Sequence, residues 1–152
     1  MLTNIEKIIF LKQVPFFEEM PTRYLRVLAD ITEEVSFDTA QRIIAEGERT
    51  NSLYVIVGGK VAIQRRKKDV SDQTLAQLAV LGPKEYFGEM SLFDHEPHSA
   101  DVIALKPTQL LVMRYGPLAA LIKRHPEMAL GLFKVLSQRL RQANVMLSKK
   151  QR

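Results

Sequence analysis

The 152-residue chain contains no cysteine at all. That absence removes disulfides, thiolate metal ligands and a cysteine nucleophile, and it fits a cytoplasmic protein. Long apolar runs are missing too. None approaches the roughly 18 residues that a bilayer-spanning helix needs, so no membrane partner is expected. The stretch from Met1 to Gln13 sets Glu6, Lys7 and Lys12 among its apolar positions, which does not read as a secretory signal. No G-x-S-x-G elbow occurs and no nucleophile–base pair stands out, so an enzyme is not expected. What is present is ordinary for a globular protein: 46% hydrophobic and 26% charged residues, in a length that suits one domain with its own core.

The net charge is +5, from 22 basic and 17 acidic residues. Much of the excess falls late, at Lys123, Arg124, Lys134, Arg139, Arg141, Lys149, Lys150 and Arg152. A nucleic-acid patch and a solvated helix face with a basic tail both accommodate it. The absence of interleaved aromatics and of a recognition helix favours the solvated face.

Hydrophobic periodicity changes twice. Leu2 to Leu11 has a helical stripe of Leu2, Ile5, Ile8 and Ile9, ended by Pro15; Phe16, Phe17 and Met20 follow as an apolar plug. Pro21-Thr22 opens a second helix with Leu25, Leu28 and Ile31 on its buried face. Short strands are expected over 35–37, 42–44, 53–57, 61–63, 74–81, 102–105 and 109–113, with turn residues between them and an exposed charged tip over 65–72. Helical spacing returns after Gly116-Pro117: a short helix to Arg124, then a long one opened by Pro126. Along the long helix, Ala129, Phe133, Leu136, Leu140, Ala143 and Leu147 alternate spacings of four and three, a heptad seam that serves either a homodimer or the chain's own barrel. Isolated short coiled coils are marginal, so burial on the barrel must help in either case; a homodimer is the preferred expectation.

The stretch from Phe87 to Val102 is the most specific. A glycine, Gly88, lets the backbone approach a ligand. Glu89 can accept hydrogen bonds from a sugar hydroxyl. A short apolar helix containing Met90, Leu92 and Phe93 offers its first N–H groups to an anion. Pro97-His98-Ser99-Ala100 then sits where a cation and a hydroxyl could close over that anion. His95 and His98, with Glu89, Asp94 and Glu96 near them, are metal-ligating types, but they fall in a loop and lack a third ligand at a credible spacing, so no metal is expected.

These residues resemble the cyclic-nucleotide-binding domain of catabolite-activator-type regulators and kinase A regulatory subunits. The likeness runs from about Phe10 to Asn144. Glu46 to Val61 resembles the family's strand–turn–strand signature, and Leu81 to Leu92 runs into its phosphate-binding cassette. The resemblance implies a mainly β fold with flanking helices, an antiparallel, jelly-roll-like β-roll (double-stranded β-helix). It divides the single domain into N-terminal helices (1–34), the roll (35–115, cassette 87–100) and C-terminal hinge and lid helices (116–152). It also implies a ligand, cAMP or cGMP, bound by the cassette residues Gly88, Glu89, Met90, Ser91, His98, Ser99 and Ala100. Gly88 and Glu89 would serve the ribose; N–H groups near Ser91, with Ser99, would serve the cyclic phosphate. Ile63, Leu78 and Leu81 would pack on purine or sugar, and Arg139, Leu140, Ala143 and Asn144 of the last helix would close over the base.

Some letters depart from the family pattern. His98 stands where the family has an arginine, and the change weakens phosphate binding by roughly tenfold to over a hundredfold, because an always-charged two-pronged donor is lost. Lys84 and Ala40 replace glycines in turns. The expectation is a non-enzymatic sensor in which ligand binding moves the C-terminal helix. The alternative is the same fold with a degenerate pocket, acting as a dimerisation or protein-interaction module. Family regulators continue into a helix-turn-helix, so this chain alone is not expected to bind a specific DNA operator.

Overall fold

Strand β3 (Ser52–Gly58) explains the architecture, because it is buried on both faces. Its side chains alternate. Leu53 and Val55 join a cluster with helical residues such as Leu11, Phe16, Leu25 and Leu28, whereas Tyr54 and Ile56 join Val61, Phe87 and Val102. Strand β8 (Thr108–Arg114) alternates in the same way, with Leu111 and Met113 toward the helices and Leu110 and Val112 toward the strands. Both strands therefore read as continuous apolar runs, as strands covered on both sides do.

The computed structural model describes residues 1–66 and 75–150. Two four-stranded antiparallel sheets make the roll. One has β6 (Tyr86–Phe87), β3, β8 and β1 (Thr32–Phe37); the other has β2 (Arg42–Ile44), β7 (Asp101–Ala104), β4 (Val61–Arg66) and β5 (Leu75–Leu81). Their facing surfaces enclose the second cluster. The outer face of the first sheet carries α1 (Asn4–Lys12), α2 (Thr22–Ile31), α4 (Tyr115–Arg124) and the start of α5 (Met128–Lys150). The short α3 (Glu89–Asp94) lies between β6 and β7. This is the expected mainly antiparallel β-roll with flanking helices. The charged tip expected over 65–72 lies, beyond Arg66, outside the described residues, as does Thr74 at the start of its strand.

Local chemistry accounts for the helix ends. Thr3 and Glu6 form a reciprocal capping box at the start of α1. Pro21 precedes α2, and Pro117 falls in the first turn of α4, where its missing N–H costs nothing. On α1 the expected stripe is only half used: Leu2 and Ile8 pack on the core, Leu11 is fully buried, and Ile5 and Ile9 face outward. Ala40 and Lys84 both hold positive φ, 70° and 72°, a region that disfavours side chains.

On α5 the heptad stripe is not the face laid on the core. The face laid on the core is Met128, Leu132 and Val135, exposed by 1%, 4% and 9%. Of the seam, Ala129 and Leu136 are half-buried, and Phe133, Leu140 and Leu147 are exposed by 61%, 64% and 58%. Two apolar stripes offset by about one residue share this helix. The α1–α2 connection selects the first, with the Met20 methyl beside Gly131 and Glu19 paired to Lys134 at 2.7 Å.

Candidate functional site

Between α3, the 96–100 loop and the second sheet lies an open hollow of about 410 Å³. Gly88 fixes one wall. It takes φ +85° as the residue before α3, and an added Cβ would meet the Ser52 carbonyl oxygen at 2.7 Å and the Tyr54 ring at 3.0 Å, so the backbone comes as close to β3 as only glycine permits. Leu92, fully buried, anchors α3, while Met90 and Phe93 are exposed. The first turn of α3 therefore starts at the hollow, which is lined by Glu89, Met90 and Ser91 on this side and by His98, Ser99 and Ala100 opposite. Ile63, Leu81 and Val102 supply an apolar floor from the sheet.

All seven expected cassette residues thus meet at one place, with Ile63 and Leu81. Four others do not. Leu78 is 53% exposed and outside the lining. Alternation explains it: Leu81 and Ala79 pair with Val61 and Ile63 on the inner face, which puts Leu78, three residues from Leu81, on the outer one. Leu140, Ala143 and Asn144 also stay outside. Helix α5 passes the hollow and touches it only through Arg139; at 1.5 Å of rise per residue, the following residues have already moved past.

Arg139 is bound in place. Its Nη1 donates to Glu89 Oε1 at 2.6 Å, and its guanidinium lies 4.9 Å above the Tyr86 ring. Tyr86, which also lines the hollow, was not anticipated as a site residue. It reads in sequence as a strand residue beside Phe87, and only the approach of α5 gives it this role.

His98 is held in the wall. Its backbone N–H donates to the Glu48 carbonyl at 2.9 Å, and its carbonyl accepts from Gly47 N–H at 2.8 Å. Both ring nitrogens meet hydroxyls: Nε2 lies 2.7 Å from Thr50 Oγ1 and Nδ1 3.4 Å from Ser91 Oγ. The Ser91 hydroxyl already donates to the Glu96 carbonyl at 2.9 Å, so it can only accept from Nδ1–H. The Thr50 hydroxyl can donate to Nε2, an arrangement that suits the neutral ring. Burial acts the same way, pushing the His98 pKa below its ordinary value against the opposing pull of Glu48, Asp94 and Glu89. Thr50 was not anticipated either. His95 turns elsewhere, edge-on to Tyr115 at 4.4 Å between ring centres, so the two histidines do not converge on a common point.

The arrangement is a cleft with a carboxylate at one end, a helix start and small hydroxyl residues along the side, and an apolar floor. The family model for the cyclic nucleotide-binding domain matches residues 34–125. The chain belongs to the cyclic nucleotide-binding domain family. It is 31% identical over 134 residues to the CRP-like cAMP-activated global transcriptional regulator of Mycobacterium tuberculosis, covering 88% of this chain and 58% of that protein. It is 32% identical over 137 residues to the cyclic AMP receptor protein of Thermus thermophilus, covering 90% and 62%. In three dimensions it resembles the N-terminal domain of a transcriptional regulator from Streptomyces coelicolor A3(2), with a TM-score of 0.81 and 32% identity over 91% of this chain and 94% of that one. The chain spans about three fifths of the length of those two regulators. As a cyclic-nucleotide-binding-type regulatory domain, it has its hollow among the residues that carry the resemblance in sequence. Among the described residues, no helix is long and apolar enough to cross a membrane.

Proposed function

We propose that this domain is a non-enzymatic, cytoplasmic sensor whose hollow takes a cyclic nucleotide, cAMP or cGMP, and whose C-terminal helix reports occupancy. The observation that carries the reading is the Glu89–Arg139 bond, which joins the cassette to α5 across 50 residues of chain. A ribose hydroxyl donating to Glu89 shares or displaces that bond, so ligand and helix compete for one carboxylate. Ligand binding then shifts α5 by as much free energy as it distinguishes the two arrangements. The exposed Phe133, Leu140 and Leu147 stripe gives the moving helix an apolar face for a second copy of the chain, and the homodimer would carry the signal onward.

The second reading is an interaction module with an unused pocket. The neutral, hydroxyl-bound His98 favours it, because the wall at that position satisfies itself. Titration calorimetry with cAMP and cGMP, at about pH 6 and about pH 8, separates the two. The sensor reading expects heat, and expects faster amide exchange along 136–147 in the bound state, where the Arg139 anchor is shared or displaced. A chain that takes up neither nucleotide yet dimerises through α5 overturns the sensor reading and leaves the interaction module.

A further inference from the structure

The hollow lines itself with two basic side chains among the described residues, Arg139 and His98, and each is already engaged in the structure. Arg139 is committed to Glu89 and the Tyr86 ring. His98 is neutral and bound to two hydroxyls. A third cation stands at the rim. Arg65 lies on β4 two residues beyond Ile63, which forms part of the floor. Strand side chains alternate, and β4 pairs with β7 without a register break, so Arg65 leaves the strand on the same face as Ile63. Its Nε donates to the Ser99 carbonyl at 3.0 Å, in the loop that leads into β7 beside it. One bond fixes the guanidinium beside the 98–100 loop and uses one of its five N–H donors. Among the described residues no other hydrogen-bond partner takes its remaining donors, and a guanidinium keeps its charge throughout the physiological range.

We propose that Arg65, from strand β4, supplies the fixed positive charge for the phosphate of the bound nucleotide, in place of the cassette position occupied by His98. This rests on the reading of the hollow as a cyclic-nucleotide site and adds a specificity-determining residue outside the cassette. It has a distinct consequence. A cation on the β4–β5 hairpin ties that hairpin to the ligand, whereas a cation at position 98 ties only the cassette.

The test is calorimetry of the full chain with cAMP and, as a phosphate-free probe, adenosine. The variants are Arg65→Gln, Arg65→Lys, His98→Arg, and Arg65→Gln combined with His98→Arg, each checked for its folded circular-dichroism spectrum. Arg65→Gln is expected to weaken cAMP binding by roughly ten- to a hundredfold and to flatten its salt dependence, with adenosine binding unchanged. Arg65→Lys is expected to keep part of the affinity, and adding His98→Arg to Arg65→Gln to restore it. Unchanged cAMP affinity in Arg65→Gln, or equal loss for cAMP and adenosine, overturns the assignment and leaves the site. So does a wild-type chain that binds no cAMP while His98→Arg alone binds it. Silence in both the wild type and His98→Arg overturns the nucleotide reading together with the assignment.

Discussion

His98 combines a half-buried ring, two hydroxyl partners and a pKa pushed down by burial, and these make its protonation a matter of stability as well as of binding. Below the ordinary value of 6.5 the unfolded chain takes up a proton at this residue more readily than the folded chain does. The stability it contributes is therefore fully present above that value and is lost as pH falls toward the depressed folded pKa. Urea midpoints measured across this window are expected to fall with pH in the wild type and to fall less steeply in His98→Gln; equal slopes would dismiss the buried neutral ring. The sequence shows a histidine at position 98, where the resemblance leads one to expect an arginine. It does not show that Thr50, far along the chain, and Ser91 would occupy both nitrogens, because that depends on the loop at 47–50 folding against 98. Gly88 is legible from its motif, and the 2.7 Å approach to Ser52 gives the physical reason for it.

Helix α5 shows how two stripes on one element are apportioned. Met128, Leu132 and Val135 are buried against the rest of the chain, and the Phe133–Leu140–Leu147 line is left outside. Periodicity cannot choose between stripes about one residue apart, since both fit 3.6 residues per turn. The choice falls to the neighbouring α1–α2 connection, with Met20 beside Gly131 and Glu19 on Lys134. Substitutions separate the two faces. Leu132→Ala is expected to cost about 2–4 kcal/mol of folding stability by leaving a cavity. Leu140→Ala is expected to leave the monomer's stability within about 0.5 kcal/mol and to weaken self-association. Chemical denaturation reads the first, sedimentation equilibrium the second; a dimer indifferent to Leu140→Ala would remove this stripe from the interface. Strand β5 carries the parallel lesson. Leu78 is one apolar letter in a strand, and its odd spacing from Leu81 puts it on the face away from the hollow.

Across the whole molecule, one sheet is shared by two cores. Leu110 faces the roll and Leu111 faces the helices, and each is fully buried. Neither core can open without stripping one face of β3 and β8. Roll and helices are therefore expected to melt in a single calorimetric transition, and Leu110→Ala and Leu111→Ala to lower its midpoint together, each by about 2–5 kcal/mol of stability. Two resolved transitions, each sensitive to one of these substitutions, would contradict the shared sheet. The sequence alone determined the order of elements, the antiparallel roll and the family, since turn residues, alternation and the two motifs act over short spans of chain. It also determined which cassette residues gather at the hollow, because α3 and its flanking loop are local. The tertiary structure decided the rest: that α5 offers the hollow only Arg139 among the described residues, that Thr50 holds His98, and that Arg65 reaches Ser99 from another strand. Each of these depends on a contact between residues distant in sequence. Local periodicity does not encode such contacts; the packing of two sheets and a helix does.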